Sequence, residues 1–122
     1  MSFTAPSNGS HTLMHLIQTF MVEILGHIRT NLPEGAEVLT RGRTMLKGAL
    51  LDPNTSATTK HWTEFVVQLA MQQFEDDMWP HIDVSLTLGE QSTSFDVHPA
   101  RTAAEHARTI VDHLTSLREG SS

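Results

Sequence analysis

The chain has 122 residues and contains no cysteine. This absence excludes disulfide bonds, thiolate metal sites and cysteine nucleophiles. Charged residues are also scarce, at 18% of the chain, against about 25% in typical globular domains. Because a weakly charged surface repels copies of itself only weakly, the composition favours self-association.

Positive charge is the scarcer sign, with 8 Lys and Arg against 14 Asp and Glu and a net charge of −6. The imbalance lies in the second half of the chain, where residues 62–122 hold three basic and ten acidic residues. A nucleic-acid-binding protein needs Lys and Arg to displace counterions from phosphate. Nucleic acid is therefore not expected as a partner.

Long apolar runs are missing too. The first ten residues, MSFTAPSNGS, lack the basic start and the apolar run of a signal peptide. The apolar stretch 13–22 is too short to span a bilayer and is interrupted by His15 and Gln18. We therefore expect a soluble, cytoplasmic protein without membrane contact. Residues 1–10 are predicted as a flexible arm and residues 11–119 as one α+β domain.

Apolar periodicity predicts three helices in the first two thirds of the chain. The first runs from about residue 12 to residue 31, and its apolar positions fill about half of its circumference, which is wider than the stripe of an ordinary surface helix. The second covers roughly residues 37–51 and is weakened by Gly42 and Gly48. The third runs from about residue 58 to residue 78.

After Pro80 the apolar period changes from 3.6 to 2, which predicts a β-hairpin over about residues 81–98. Pro99 can occupy the first turn of a last helix that runs to about Arg118, with Gly120 as its stop. The predicted fold is therefore α+β, with three N-terminal helices, a hairpin and a C-terminal helix. In this prediction a helix-dominated layer packs on the hairpin.

The predicted hairpin brings together a candidate metal site. Matching apolar residues across its loop places Asp83 opposite His98, with His81 on the same face. This His-x-Asp…His pattern resembles the two-histidine, one-carboxylate facial triad of non-haem iron oxygenases, although the fifteen-residue gap and the single hairpin depart from that family. Asp77 supplies a further candidate ligand for a divalent metal. The alternative interpretation is an exposed Asp–His pair without a metal.

Two clusters of opposite charge are candidates for an interface. The acidic cluster closes the third predicted helix, where the helix dipole disfavours negative charge; its members are Glu75, Asp76 and Asp77. The basic cluster lies in the second predicted helix and consists of Arg41, Arg43 and Lys47. A solvated acidic end is the commonest explanation of such a cluster. The alternatives are a bound cation and an ion-pair contact between the two clusters, within a chain or between chains.

Two apolar and two histidine positions complete the predicted interface. Leu16 and Phe20 lie on the wide apolar face of the first helix, part of which a partner chain could cover. His106 and His113 lie seven residues apart at the border of the last helix's apolar stripe. The alternative for both pairs is packing within one domain.

No P-loop, dinucleotide-binding glycine motif or hydrolase nucleophile motif is present in the sequence. We therefore predict a small assembly or adaptor subunit that acts through protein–protein contacts as a homo-oligomer, without a cofactor. Its partner is itself or another protein. One alternative is a small metal-dependent enzyme that uses His81, Asp83 and His98. A second is a winged-helix-like nucleic-acid-binding regulator, because three helices followed by a hairpin fit that order.

Overall fold

The computed structural model describes residues 5–52, 58–72, 81–97 and 101–120. In chain order its elements are α1 (Ala5–Asn31), β1 (Ala36–Arg41), β2 (Met45–Leu51), β3 (Trp62–Gln72), β4 (His81–Leu88), β5 (Gln91–Val97) and α2 (Ala103–Gly120). The five strands form one antiparallel sheet in the order β1-β2-β3-β4-β5. Each strand therefore pairs with its neighbour in sequence, and the domain is α+β.

One face of the sheet and the two helices enclose the core. The strands contribute alternate apolar residues, which include Leu46, Leu50, Phe65, Val67, Leu69, Ile82, Val84, Leu86 and Leu88. The helices contribute one stripe each, made of Ile17, Met21, Ile24, Leu25 and Ile28 in α1 and of Ala103, Ala107, Ile110, Val111 and Leu114 in α2. Full burial of one Leu or Ile side chain contributes about 1.5–3 kcal/mol, so this layer holds the helices to the sheet.

The predicted arrangement of three N-terminal helices and a hairpin is wrong. Only the first of these helices exists, and it begins at Ala5 rather than near residue 12. The described residues of the second and third predicted helices form β1, β2 and β3. The helix-dominated layer is wrong for the same reason, because a five-stranded sheet organises the domain. The winged-helix alternative loses its basis with the helices that it needed.

Strand β3 explains why the helical period was misleading. Phe65, Val67 and Leu69 alternate along it and are buried against the helices, which is the period of a strand. Val66 and Ala70 point to the other side of the sheet and are apolar as well. The two sets together reproduce the three- and four-residue spacing of an amphipathic helix. Apolar residues on both faces therefore concealed the strand.

Gly48 is a packing requirement rather than a weak point in a helix. It lies directly opposite Phe65 in the β2–β3 ladder. A Cβ atom built on Gly48 would lie 2.6 Å from two carbons of the Phe65 ring and would overlap the carbonyl oxygen of Glu37. The Phe65 ring therefore occupies the space that a side chain at this position would need.

The β4–β5 hairpin is present, but its predicted register is wrong by two residues. Leu88 pairs with Gln91, so the loop is a two-residue turn that begins with Gly89. Gly89 has a φ of 60°, and no other kind of residue in the described ranges has a positive φ. This combination fits a type II′ turn, which has glycine at its first central position. Because the shift is even, every side chain keeps its predicted face.

The last helix is confirmed, with its start at Ala103 and a defined cap. The backbone N–H of Glu105 donates to the Thr102 hydroxyl oxygen at 3.2 Å, and that hydroxyl donates to Glu105 Oε1 at 3.2 Å. The pair is a variant of the capping box, which satisfies an otherwise unpaired amide of the first turn. Pro99, the predicted first-turn residue, lies outside the described ranges.

Candidate interaction surface

The second face of the sheet, which we call the open face, lies opposite both described helices. Strand pairing defines its members. They are Glu37 and Thr40 of β1; Met45, Lys47, Ala49 and Leu51 of β2; Trp62, Glu64, Val66, Gln68 and Ala70 of β3; His81, Asp83, Ser85 and Thr87 of β4; and Ser92, Ser94 and Asp96 of β5. No core residue of α1 or α2 contacts this side, because the buried positions of both helices face the other.

Apolar side chains of the open face concentrate on β2 and β3. Ala49 is only 6% exposed, and Leu51 and Val66 are half-buried. Trp62 lies at the start of β3 opposite Leu51 and is 45% exposed. A solvated face of an antiparallel sheet normally carries polar residues at its outward positions. This part of the open face instead offers apolar contact area and a tryptophan, a residue enriched at protein interfaces.

Charged residues occupy two regions of the open face. Lys47, half-buried on β2, is the single Lys or Arg among its described residues. The exposed Glu37 and Glu64 lie diagonally next to it, because both are opposite Ala49. Asp83 of β4 lies directly opposite Asp96 of β5. Like charges at opposite positions destabilise a strand pair. Neutral residues such as Gln68 and Ser85, which are paired on β3 and β4, lie between the two charged regions.

The candidate metal site is only partly within the described residues. His81 and Asp83 are half-buried on the open face, two residues apart on β4. The predicted pairing of Asp83 with His98 is wrong, because Asp96 lies opposite Asp83. His98 and Asp77 lie outside the described ranges. In those ranges no group of three or more His, Asp or Glu side chains could hold a metal ion, so the full four-residue site stays a prediction.

The predicted interface residues of the two helices occupy different environments. Leu16 is 57% exposed on α1. The Phe20 ring meets the buried His106 ring edge to face, with 5.9 Å between ring centroids, and joins α1 to α2. The exposed His113 stacks on Phe95 of β5 at 4.3 Å between centroids. Both histidines therefore contribute to packing within the chain, and their place in an interface stays a prediction.

Of the charged interface candidates, only the basic ones lie within the described residues. Arg41 ends β1 and Arg43 lies in the following loop, and both side chains are exposed. Lys47 lies on the open face. Glu75 and Asp76 lie outside the described ranges, so the predicted contact between the two clusters stays a prediction.

Several residues of the open face are not singled out by the sequence, among them Trp62, Val66 and Asp96. Trp62 and Val66 lie within residues 58–78, which the apolar period predicts as a helix. The predicted hairpin register, which is wrong by two residues, places Asp96 opposite Ser85 instead of Asp83. Glycine at the first position of a two-residue turn was the signal that would have given this register.

Comparisons with protein-family models, with curated proteins and with solved structures gave no match. Within the described ranges, no helix is long and apolar enough to span a bilayer. The function of the open face is therefore inferred from its own geometry and chemistry.

Proposed function

We propose that this protein is a small protein–protein interaction subunit that acts as a homo-oligomer, with the open face as its contact surface. The observation that carries the proposal is the apolar part of that face, where Ala49 and Val66 point away from both helices. A second sheet stacked on this face at about 10 Å, as in β-sandwiches, would remove these side chains from water.

One edge of the sheet, strand β1, disfavours the addition of another strand. Strand β1 is one edge, and its residues Val38 and Leu39 are exposed. The β1–β2 register shifts between Val38 and Thr40, which marks a bulge or an irregularity. Bulges and charged residues such as Arg41 hinder the addition of another strand at an edge. The low charge of the chain works in the same direction, because it weakens repulsion between copies.

Replacing Val66 with lysine tests the proposal. Val66 is already half-buried, so completing its burial contributes about 1 kcal/mol, and a symmetric dimer contains two copies of the contact. We expect the loss of about 2 kcal/mol, which weakens dimerisation roughly 30-fold. Sedimentation equilibrium of the wild type and of Val66→Lys over a range of concentrations, at two salt concentrations, measures this change.

Val22→Lys is the matched control, because Val22 is 40% exposed on the solvent side of α1. It introduces the same side chain away from the open face and should leave the dissociation constant unchanged. A wild-type chain that sediments as a monomer at every concentration would contradict the proposal. Equal weakening by Val22→Lys and Val66→Lys would contradict the assignment of the contact to the open face.

A further inference from the structure

Strand β5 is the second edge of the sheet, and no described strand pairs with its outer side. It carries none of the features that protect the edge at β1. Its pairing with β4 continues over all seven residues without a bulge, and it contains no proline, lysine or arginine. Thr93, Phe95 and Val97 favour an extended strand, because β-branched and aromatic residues fit that conformation. This edge is therefore open to a further strand.

The turn at Gly89 determines which backbone groups of β5 point outward. A turn of this kind closes with a hydrogen bond between its first and fourth residues, so Leu88 and Gln91 form a hydrogen-bonded pair. The Gly89 N–H donates to the Glu64 carbonyl of β3 at 2.9 Å, which leaves the backbone groups of Leu88 directed at β5. Hydrogen-bonded and non-hydrogen-bonded pairs alternate along an antiparallel ladder. The residues of β5 whose N–H and C=O groups point away from β4, and whose side chains are exposed, are therefore Ser92, Ser94 and Asp96.

We infer that β5 pairs antiparallel with β5 of a second copy, about a two-fold axis that is perpendicular to the sheet and passes between the two Ser94 residues. In this register Ser94 lies opposite Ser94 of the second copy, and Ser92 lies opposite Asp96. Each of these pairs exchanges both of its backbone hydrogen bonds. The two five-stranded sheets become one continuous sheet, with the helices of both copies on the same side. Because this contact leaves the open face uncovered, it is separate from the proposed function.

A second copy fits this edge because the edge is complementary to itself. The register centred on Ser94 joins all three outward residues of each copy, whereas a shift in either direction leaves at least one of them without a partner in β5. Asp96 is the single charged residue of β5, and this register places it opposite Ser92 rather than opposite Asp96 of the other copy. Like charges at opposite positions would destabilise the pair. Two-fold symmetry makes the Ser92–Asp96 contact occur twice.

Helix α2 holds β5 in the extended form that pairing needs. His113 stacks on Phe95, and Gln91 Nε2 donates to the Leu117 carbonyl oxygen at 3.5 Å. Both contacts are made by side chains on the helix side of the strand and not by its outward backbone groups. An edge that is already ordered loses little conformational freedom when it binds.

The helices leave room for the second copy. Helix α2 lies mainly over β4, and three strand spacings separate β4 of one copy from β4 of the other, which corresponds to about 14 Å. Helices that pack against each other have axes about 8–10 Å apart. The two copies of α2 therefore do not collide when the β5 strands pair.

Two lysine substitutions test the register of this edge dimer. Ser92 and Ser94 are both exposed, two residues apart on the same face of β5. Ser94→Lys places two lysines opposite one another across the axis, whereas Ser92→Lys places each lysine opposite Asp96 of the other copy. We expect Ser94→Lys to dimerise about threefold more weakly than the wild type and Ser92→Lys about threefold more tightly. Both variants carry the same added charge, so the difference between them reports the register.

Ser94→Pro tests the backbone contact. Proline lacks an N–H and is tolerated on an edge strand where that N–H would face solvent, so the single chain should fold, which circular dichroism checks. The dimer loses the Ser94 N–H hydrogen bond of each copy, and we expect dimerisation to weaken about 30-fold. Ser94→Ala is the matched control, because it removes the hydroxyl and keeps the N–H. It should leave the dissociation constant unchanged.

Sedimentation equilibrium measures these dissociation constants, both in the wild-type chain and in the Val66→Lys chain, where the open-face contact is weakened. Amide hydrogen exchange followed by NMR shows the contact directly. In the single chain the amides of Thr93 and Phe95 are protected by β4, whereas the three outward amides of β5 exchange rapidly. A higher protein concentration should slow exchange at those three amides, and Ser94→Pro should abolish this protection.

The outcomes separate this inference from the proposed function. Concentration-dependent protection of the outward amides, with Ser92→Lys associating more tightly than Ser94→Lys, supports the edge dimer. An oligomer that Val66→Lys dissociates and Ser94→Pro leaves intact overturns the edge dimer alone, as do equal effects of the two lysine variants. An oligomer that Ser94→Pro dissociates and Val66→Lys leaves intact supports the edge dimer and overturns the open-face contact. A chain that is monomeric at every concentration overturns both.

Discussion

Replacing Gly48 with alanine tests the packing of the sheet directly. The added methyl group would lie 2.6 Å from two ring carbons of Phe65, whereas carbon atoms in van der Waals contact are about 3.5–4.0 Å apart. It would also overlap the carbonyl oxygen of Glu37, which belongs to the backbone of the neighbouring strand. Either the fully buried Phe65 ring must leave its rotamer or β1 must separate from β2.

The expected effect follows from two opposing contributions. Overpacking of a core costs about 1–3 kcal/mol, and a backbone obstacle places this site at the upper end of that range. Alanine restores about 0.5–1 kcal/mol relative to glycine within a strand. We therefore expect the free energy of unfolding to fall by about 2 kcal/mol. For a chain of 122 residues, this lowers the midpoint of thermal unfolding by about 8 °C.

Two other glycines provide controls for urea unfolding followed by circular dichroism. A Cβ on Gly26, within α1, would meet nothing within 4 Å, so Gly26→Ala should gain about 0.5–1 kcal/mol. A Cβ on Gly42 would lie 3.7 Å from the Met45 carbonyl oxygen, an ordinary contact, so Gly42→Ala should be nearly neutral. All variants are compared at one protein concentration, because self-association raises apparent stability. A wild-type midpoint for Gly48→Ala would refute the account of the Phe65 ring.

Two further substitutions test the turn and the cap. Gly89→Ala should destabilise the chain by about 1–2 kcal/mol, because Gly89 has a positive φ and an added Cβ would lie 3.0 Å from Thr63 Cγ2. The control is Glu90→Ala at the adjacent, exposed position, which should be nearly neutral. Similar urea midpoints for the two variants would contradict the turn assignment. Thr102→Ala should lower the free energy of unfolding by about 1 kcal/mol, because the helix loses its cap. Thr102→Ser keeps the hydroxyl and should keep most of this stability. Equal losses of stability or of helical circular dichroism in Thr102→Ala and Thr102→Ser would show that the cap hydrogen bonds do not matter.

The parts of the fold that the sequence predicted have only one apolar face. Helix α2 has a clear apolar stripe, in which Ala107, Ile110, Val111 and Leu114 are buried and the residues between them are polar. Strand β4 alternates Ile82 and Val84 with Asp83 and Ser85, so its period is also unambiguous. In such segments the burial pattern alone identifies the element.

The parts that the sequence did not predict are apolar on two faces. On β2, Ala49 adds an apolar outward position between the core residues Leu46 and Leu50. On β3, Val66 and Ala70 do the same beside Phe65 and Leu69. A strand with this pattern cannot be distinguished from a helix by periodicity. The residues that caused the wrong assignment are therefore the same ones that now suggest a contact surface.

Only some residues of the open face could be predicted, because the neighbours of a residue across a sheet depend on the strand register. Lys47 was placed in an interface from its charge alone, without knowledge of its strand. Asp96 is not predicted as the neighbour of Asp83, because the pairing of β4 with β5 depends on the position of the turn at Gly89. The predicted register is wrong by two residues and therefore places Asp96 away from Asp83. The side-chain face survives such an error, whereas the identity of cross-strand neighbours does not.

The positions of α1 and α2 have a consequence for how the chain folds during synthesis. Each strand pairs with the strand made just before it, so the sheet can grow as the chain leaves the ribosome. Helix α1 packs against α2, which is made after all five strands. Until residues 103–120 have emerged, the apolar side of β4 and the part of α1 that contacts α2 lack their neighbour and remain exposed to chaperones or to aggregation. The last helix thus acts as the closing step of folding, and a nascent chain that stalls before it should be recognised as unfinished.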